Sequence, residues 1–227
     1  MAANRTVFLF DVDNTLLDND RVVADLMKHL ERAVGPVNQR RYWERFEELR
    51  KELGYADYLG ALQRYRVEHP REFSIVEVSY FLMNYHFANR LFPRSLDAID
   101  RFKAVAETTL LTDGDVIFQP RKIERSGLRE AVDGKVMIYI HKERELDDVA
   151  ARYPADHYVL VDDKLRILTA VKGSWGARVT TVFPKQGHYA NDPAETAKYP
   201  AADVTIDRID QLLDYDLPQL IAAGQRA

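Results

Sequence analysis

Apolar residues along this chain fall into two rhythms. Short runs that are apolar or β-branched throughout lie at residues 6–10, 108–111, 135–140, 158–161, 179–183 and 203–206, each bounded by charged or turn-forming residues. Between the later runs the spacing becomes helical. Leu146, Val149, Ala150 and Tyr153 recur at i, i+3, i+4 and i+7 within 143–153. Leu165, Leu168 and Val171 share one side of 164–172, and Ile209, Leu212 and Leu213 share one side of 207–213. Strands that are apolar on both faces, alternating with one-faced helices, predict an α/β architecture: a parallel sheet covered by helices on each side.

The first interval breaks this rhythm. About ninety residues separate Asp18 from Thr108, and helical patterning covers 21–34, 38–53, 56–68, 74–89 and 95–105, punctuated by Gly35-Pro36, Gly54 and Pro70. A crossover between parallel strands needs one helix, so the surplus is an insertion. The expected organisation is a doubly wound core domain of residues 1–17 and 91–227, with a small α-helical cap domain, 18–90, inserted after the first strand. Hinges between the two would fall near 17–20 and 92–95. Residues 187–202, with the turn signal Asn191-Asp192-Pro193, read as a surface loop.

Residues able to do chemistry gather at one place in this plan. Asp11-Val12-Asp13-Asn14-Thr15 follows the first run, Thr112-Asp113-Gly114 the second, His141-Lys142 the third and Asp162-Asp163-Lys164 the fourth. Ligands of an open α/β sheet bind at the carboxyl ends of its strands, near the point where strand order reverses. Four successive strands therefore deliver acids, a hydroxyl and an amine to one edge. Taken singly these signals are weak, since acidic pairs cap helices and lone lysines are solvated. Their shared order and placement make the set specific.

Such a set suits phosphoryl transfer. A hard cation such as Mg²⁺ takes oxygen ligands, which Asp11, Asp162 and Asp163 could supply together with the backbone carbonyl of Asp13. The cation would also relieve the mutual repulsion of the carboxylates. The Asp11 carboxylate can attack phosphorus and form an aspartyl-phosphate, and Asp13 can protonate the leaving oxygen and then activate water. The Thr112 hydroxyl, neighbouring N–H groups and the Lys142 ammonium would hold the phosphoryl oxygens. Asn14, Asp113 and Gly114 stand beside them as candidate substrate contacts. Lys142 follows its strand directly. Lys135 begins that strand at the opposite edge, Lys122 falls in a helix or loop before it, and Lys164 is held in reserve.

The segment from Asp11 to Leu17, Asp-Val-Asp-Asn-Thr-Leu-Leu after a strand, resembles the first motif of the haloacid dehalogenase-like (HAD) hydrolase superfamily. Thr112, Lys142 and Asp162-Asp163 resemble its second, third and fourth motifs, in that order, and the likeness covers about two thirds of the chain. The resemblance implies a Rossmann-like core with a cap after the first motif, Mg²⁺, Asp11 as nucleophile and Asp13 as acid/base. Two positions depart from the pattern. Asp113 stands where such proteins often carry Asn or a small residue, and it would repel a phosphate unless its side chain turns away. Ile167 stands four residues after Asp163, where many members carry an acid. Asp13 points to the phosphatase branch, because a leaving alkoxide needs a proton. A dehalogenase, attacking carbon, has no need of that second acid. A phosphonate hydrolase would want a Schiff-base lysine from the cap, which offers only Lys28 and Lys51, both on exposed helical positions.

The expected activity is hydrolysis of a small phosphorylated metabolite. A sugar phosphomutase using the same residues, a haloacid dehalogenase, and a non-catalytic binding protein are the alternatives. Composition narrows the setting. The chain has no cysteine, which removes disulfides and thiolate chemistry. The apolar run at 7–10 is too short for a signal core or a membrane span, so a cytoplasmic protein with no membrane partner is expected, as a monomer or homodimer. A net charge of −4 leaves no footprint for nucleic acid and calls for a local basic pocket around any anionic substrate. The cap carries Arg40, Arg41, Arg45, Arg50, Arg64 and Arg66 among Tyr42, Trp43, Phe46, Tyr55, Tyr58 and Tyr65. They form either a grip for a second anion or an aromatic cap core with solvated arginines.

Overall fold

The computed structural model describes residues 5–225. Six parallel strands form one sheet: β1 (Thr6–Phe10), β2 (Glu107–Asp113), β3 (Val136–Tyr139), β4 (His157–Val161), β5 (Val179–Pro184) and β6 (Val204–Ile206). Their order is β3-β2-β1-β4-β5-β6. Each predicted run becomes a strand, with bounds moved by at most two residues. All of β1 is buried, as a central strand covered on both faces must be. Its alternate side chains serve two apolar clusters, Phe8 and Phe10 on one face of the sheet and Val7 and Leu9 on the other. Strand order reverses between β1 and β4, which opens the crevice that holds ligands in such sheets.

Between β1 and β2 the chain builds α1 (Asn19–Leu53), α2 (Tyr58–Glu68), α3 (Ile75–Met83) and a 3-10 turn (Phe87–Arg90), and α4 (Ser95–Lys103) returns it to the sheet. The helices predicted over 21–34 and 38–53 run together as α1, broken at Gly35 with φ 80° and ψ 166°. Only glycine adopts that φ at low cost, and Pro36, with its fixed φ, restarts the helix. The helix predicted over 74–89 stops at Met83. Asn84 closes it with an N–H to the Tyr80 carbonyl, and Tyr85 turns inward, donating to Asp25 and accepting from Arg90. The two joins of this insertion lie side by side. Asp18 N–H donates to the Arg90 carbonyl at 2.7 Å, Phe92 N–H to the Leu16 carbonyl at 2.9 Å, and Leu17 and Leu91 form an antiparallel bridge.

The rest of the chain adds α5 (Phe118–Arg125), α6 (Leu128–Ala131), α7 (Leu146–Arg152), α8 (Leu165–Trp175), α9 (Gly187–Ala190), α10 (Pro193–Thr196) and α11 (Leu217–Gly224). Trp43, Phe46, Tyr58, Phe118 and Phe87 form an aromatic run that joins the insertion to α5, with successive ring centroids 4.8–5.7 Å apart. The helix predicted over 207–213 is a 3-10 turn (Ile209–Asp214). Helix α11 has no counterpart in the apolar pattern, although Asp216 and Gln219 close a capping box around Pro218 at its start. The expected surface loop at 187–202 instead holds α9 and α10 and is tied to the insertion. Among the described residues no helix is long and apolar enough to cross a membrane.

One buried histidine gives the sheet an acid-sensitive element. His157 on β4 lies 2.8 Å from Thr180 Oγ1, whose own proton goes to the Leu220 carbonyl. Burial, with Lys172 nearby, holds His157 below the ordinary imidazole range. Its folded pKa thus lies below its unfolded one, so its contribution to stability is present above about pH 6.5 and is lost as acid protonates the ring. Thermal melts of His157→Gln between about pH 7 and pH 5 are expected to show a shallower acid-side fall than wild type.

Candidate active site

Asp11 and Asp162 leave neighbouring strands on either side of the switch point. Asp11 N–H donates to the Val161 carbonyl at 2.9 Å and Asp162 N–H to the Val182 carbonyl at 3.1 Å, which extends the sheet ladder by one residue at each. One carboxylate oxygen from each of Asp11, Asp162 and Asp163 lies within 4.8 Å of the others. Lys142, on the 3-10 turn after β3, reaches into this group. Its Nζ stands 2.5 Å from Asp11 Oδ1 and donates to the Leu111 carbonyl at 3.1 Å. The same ammonium pairs with Asp162 Oδ2 at 2.6 Å. Asp162 Oδ1 accepts from Lys164 N–H at 2.8 Å, an Asx turn just before α8.

Thr15, which the sequence pattern had not marked, ties the first loop to the fourth. Its hydroxyl donates to Asp11 Oδ2 at 3.2 Å and accepts from Asp163 N–H at 3.0 Å. Asp11, Lys142, Asp162 and Asp163 are each at most 2% exposed. Burial alone would depress the Lys142 ammonium, but Asp11, Asp162 and Asp113 hold its pKa above the ordinary lysine value. Burial pushes the Asp162 carboxyl up to about 6 against the pull of Lys142, and pushes Asp163 well above the carboxylate range. Lys142 in contact and Lys164 at longer range, two ammoniums against three buried acids, leave negative charge uncompensated.

Asp163 shows where compensation is missing. Both of its carboxylate oxygens are buried without a hydrogen-bond partner among the described residues. A bare buried carboxylate is costly, and a hard divalent cation among these oxygens would satisfy it. The donor set therefore fits such a cation.

Asp13 has a different partner. Lys122 Nζ lies 2.7 and 2.8 Å from its two carboxylate oxygens and 3.0 Å from Asn19 Oδ1. Lys122 is buried on α5, in the same face as Phe118, Gln119 and Ile123. A lysine on the buried stripe of a helix was the signal available, since such a charge requires a partner elsewhere in the fold. Lys142 and Lys122 thus divide the acids of the first loop between them.

The remaining candidates occupy supporting positions. Thr112 is buried and its Oγ1 accepts from Gln119 Nε2 at 3.0 Å. Asp113 lines the cavity beside the other acids, and its Oδ1 accepts from Lys142 N–H at 2.8 Å. At Gly114 a Cβ would come within 2.7 Å of the Gln119 side chain, so the absence of a side chain there keeps Gln119 on Thr112. Asn14 is tied into its own turn. It lines the cavity described next, yet its amide is already engaged: Oδ1 accepts from Asn19 and Asp20 N–H at 3.0 and 3.1 Å, and Nδ2 donates to Asp20 Oδ1 at 3.0 Å. Its backbone is left-handed, φ 61°, which asparagine tolerates and which lets the side chain fold back on its own turn.

Above the acids lies a cavity of about 770 Å³ between the insertion and the carboxyl ends of the strands. Asp13, Asp113, Gly114 and Asp163 form its floor, and Trp43, Arg50, Tyr55 and Tyr58 from the insertion are among its upper walls. Tyr42, Phe46, Tyr58 and Tyr65 are buried core of the insertion. Arg41 and Arg45 pair with Glu68, and Arg64 with Glu52, on its outer surface. Of the six arginines singled out in the sequence, Arg50 reaches the cavity, where it donates to the Tyr189 hydroxyl of α9. His188 on the same turn holds Asp20 through its backbone N–H at 2.7 Å and its ring Nδ1 at 2.6 Å.

This second tie depends on Gly187. Its φ is +70°, and a Cβ there would lie 2.4 Å from Asn14 Cβ. Gly187→Ala is expected to cost roughly 2 kcal/mol or more in urea denaturation, from overpacking and backbone strain together. It should also release Asn14 from Asp20.

Comparison with known proteins agrees with this geometry. Residues 6–174 match the haloacid dehalogenase-like hydrolase family. A protein of Burkholderia xenovorans assigned to the haloacid dehalogenase-like hydrolases has a crystal structure with TM-score 0.90 and 60% identity, covering 94% of this chain and 100% of that one. A HAD-hydrolase of Bacillus subtilis bound to magnesium shares the fold at TM-score 0.60 and 18% identity, over 93% of this chain and 98% of its own. The L-2-haloacid dehalogenase of Xanthobacter autotrophicus does so at 0.57 and 15%, over 96% and 98%. A search of curated proteins gave no match. With its strand order, its acids at the switch point and the family match over most of its length, the chain belongs to the haloacid dehalogenase-like hydrolases.

Proposed function

We propose that this hydrolase is a Mg²⁺-dependent phosphatase that cleaves a small phosphorylated metabolite through an aspartyl-phosphate on Asp11. The observation that carries this reading is the second carboxylate, Asp13, on the cavity floor two residues beyond the buried Asp11. Asp11 is oriented from both sides, by Lys142 at one oxygen and Thr15 at the other. A carboxylate oxygen of Asp11 attacks phosphorus as the P–O ester bond breaks. The leaving oxygen takes the electron pair of that bond together with a proton from Asp13. Asp13 then takes a proton from water as the water oxygen attacks phosphorus, which frees the Asp11 carboxylate and inorganic phosphate. To serve both steps Asp13 must exchange Lys122 for the substrate, a rotation of one side chain. Lys142 supplies positive charge beside the transferring group. Mg²⁺, held by Asp11, Asp162, Asp163 and the backbone carbonyl of Asp13, would neutralise charge between nucleophile and phosphate.

The helical insertion, 18–90, serves in this reading as a cap over a core of 1–17 and 91–227. The interdomain movement described for the magnesium-bound Bacillus subtilis protein supports a cap that opens and closes. The likeness to a haloacid dehalogenase is one of fold, and Asp13 is the residue that dehalogenation does not need.

The test is phosphate release from an aryl phosphate and a panel of metabolite monoesters, with Mg²⁺ and with EDTA. Turnover is expected with Mg²⁺ only, and Asp11→Asn should lower it by more than about a thousandfold. Halide release from a haloacid, with no phosphate released from any ester, would overturn the reading.

A further inference from the structure

The cavity is far larger than a phosphoryl group needs, and most of its charged wall is already paired. Asp20 is held by His188, Asp13 by Lys122, Arg166 by Glu143, and Glu195 by Lys198. The Asp115 carboxylate accepts from the N–H groups of Ile117 and Phe118. Two cations are held more loosely. The Lys164 ammonium makes no direct ion pair or hydrogen bond among the described residues, although Asp163, Asp11 and Asp162 hold its pKa above the ordinary lysine value, and it stands 5.3 Å from the centre of the Tyr189 ring. Arg50 donates to the hydroxyl of the same tyrosine, and its nearest carboxylate, the half-exposed Glu47, is 3.5 Å away. An ammonium from the core and a guanidinium from the insertion therefore converge on one phenol ring, in the cavity whose floor carries Asp13 and Asp163.

From this convergence we infer a second anion-binding subsite made of Arg50, Lys164 and Tyr189. The substrate class it selects is a phosphate monoester whose alcohol portion ends in another anionic group, a carboxylate or a second phosphate. Cations that line a cavity with only a loose or indirect hold on carboxylates can take an anionic ligand in addition, and a guanidinium can bind either group through two parallel hydrogen bonds. Tyr189 keeps the two charges on opposite parts of one ring, its hydroxyl toward Arg50 and its face toward Lys164. The subsite also spans insertion and core, so the distal anion would draw the cap onto the strands that carry Asp11. This inference rests on the phosphatase reading of Asp11 and specifies its substrate.

The experiment compares three esters: an alkyl phosphate with a neutral end, the same chain ending in a carboxylate, and the same chain ending in a second phosphate. With Mg²⁺ present, kcat/KM is expected to be roughly tenfold or more higher for at least one anion-ended ester than for the neutral one, chiefly through KM. The two anion-ended arms tell carboxylate from phosphate. Arg50→Gln and Lys164→Met should each shrink that preference ratio, and Arg50→Lys should retain part of it. Equal kcat/KM for all three esters, or a ratio untouched by both substitutions, overturns the subsite and leaves the phosphatase standing. Calorimetry with the matching non-hydrolysable phosphonates separates the converse case. A binding preference for the anion-ended phosphonate that Arg50→Gln removes, in a protein that hydrolyses none of the esters, supports the subsite and overturns the phosphatase.

Discussion

Lys142→Met is expected to destabilise the metal-free protein by roughly 3–5 kcal/mol at neutral pH, as is usual when one member of a buried ion cluster is removed. The lysine is buried between Asp11 and Asp162, and methionine fills most of its volume without its charge. What is lost is therefore chiefly compensation. Two almost wholly buried carboxylates would lose their ammonium, beside a third that is already bare. Urea denaturation in the presence of EDTA reads the effect directly, and a midpoint unchanged from wild type would mean that these acids are not closed off as described. Catalysis should fall as well, by about a hundredfold or more in kcat, because the same ammonium stands where charge builds on the transferring group. Added Mg²⁺ should restore part of the stability, since a second source of positive charge then reaches the same oxygens.

The second large effect concerns the cation. A ligand that binds the folded state alone stabilises it by roughly 2.7 kcal/mol at a free concentration one hundredfold above its Kd. For a domain of this size that is a rise in Tm of roughly 5–10 °C. Mg²⁺ is expected to produce such a rise in wild type. Asp163→Asn should abolish most of it while leaving the metal-free protein at least as stable as wild type, because the substitution removes a buried charge that lacks a partner. A response to Mg²⁺ that survives Asp163→Asn would place the cation elsewhere.

The strands and the residues at their carboxyl ends were legible because burial on both faces writes a parallel strand as an unbroken apolar run. The residue after such a run is then the one at the sheet edge. Asp11, Thr112 and Asp162 follow from that rule, and Lys142 nearly so, one residue beyond a turn histidine. The partners that set their posture were harder to see. Lys122 meets Asp13 across 109 residues of sequence, and nothing local in Phe-Gln-Pro-Arg-Lys-Ile announces the acid it serves. Thr15 reads as an ordinary turn residue until β1 and β4 are side by side. The segment at 187–202 has the composition of a loop. What orders it is contact with the insertion, through Gly187 on Asn14, His188 on Asp20 and Tyr189 on Arg50. The cap arginines carry the same lesson. Spacing alone could not tell Arg50 from Arg41, Arg45 and Arg64, since only the docking of α9 against α1 brings one of them to the cavity.

The central claim is covalent chemistry at one carboxylate, and it can be read at that carboxylate. Turnover of a phosphate ester is quenched in acid, the protein is reduced with borohydride, and its peptides are examined by mass spectrometry. Reduction converts an aspartyl-phosphate to homoserine and leaves free aspartate unchanged. Homoserine at position 11, formed only when ester and Mg²⁺ are both present, is the predicted result. Phosphate release with Asp11 left intact, or with the modification at Asp13 instead, would contradict it.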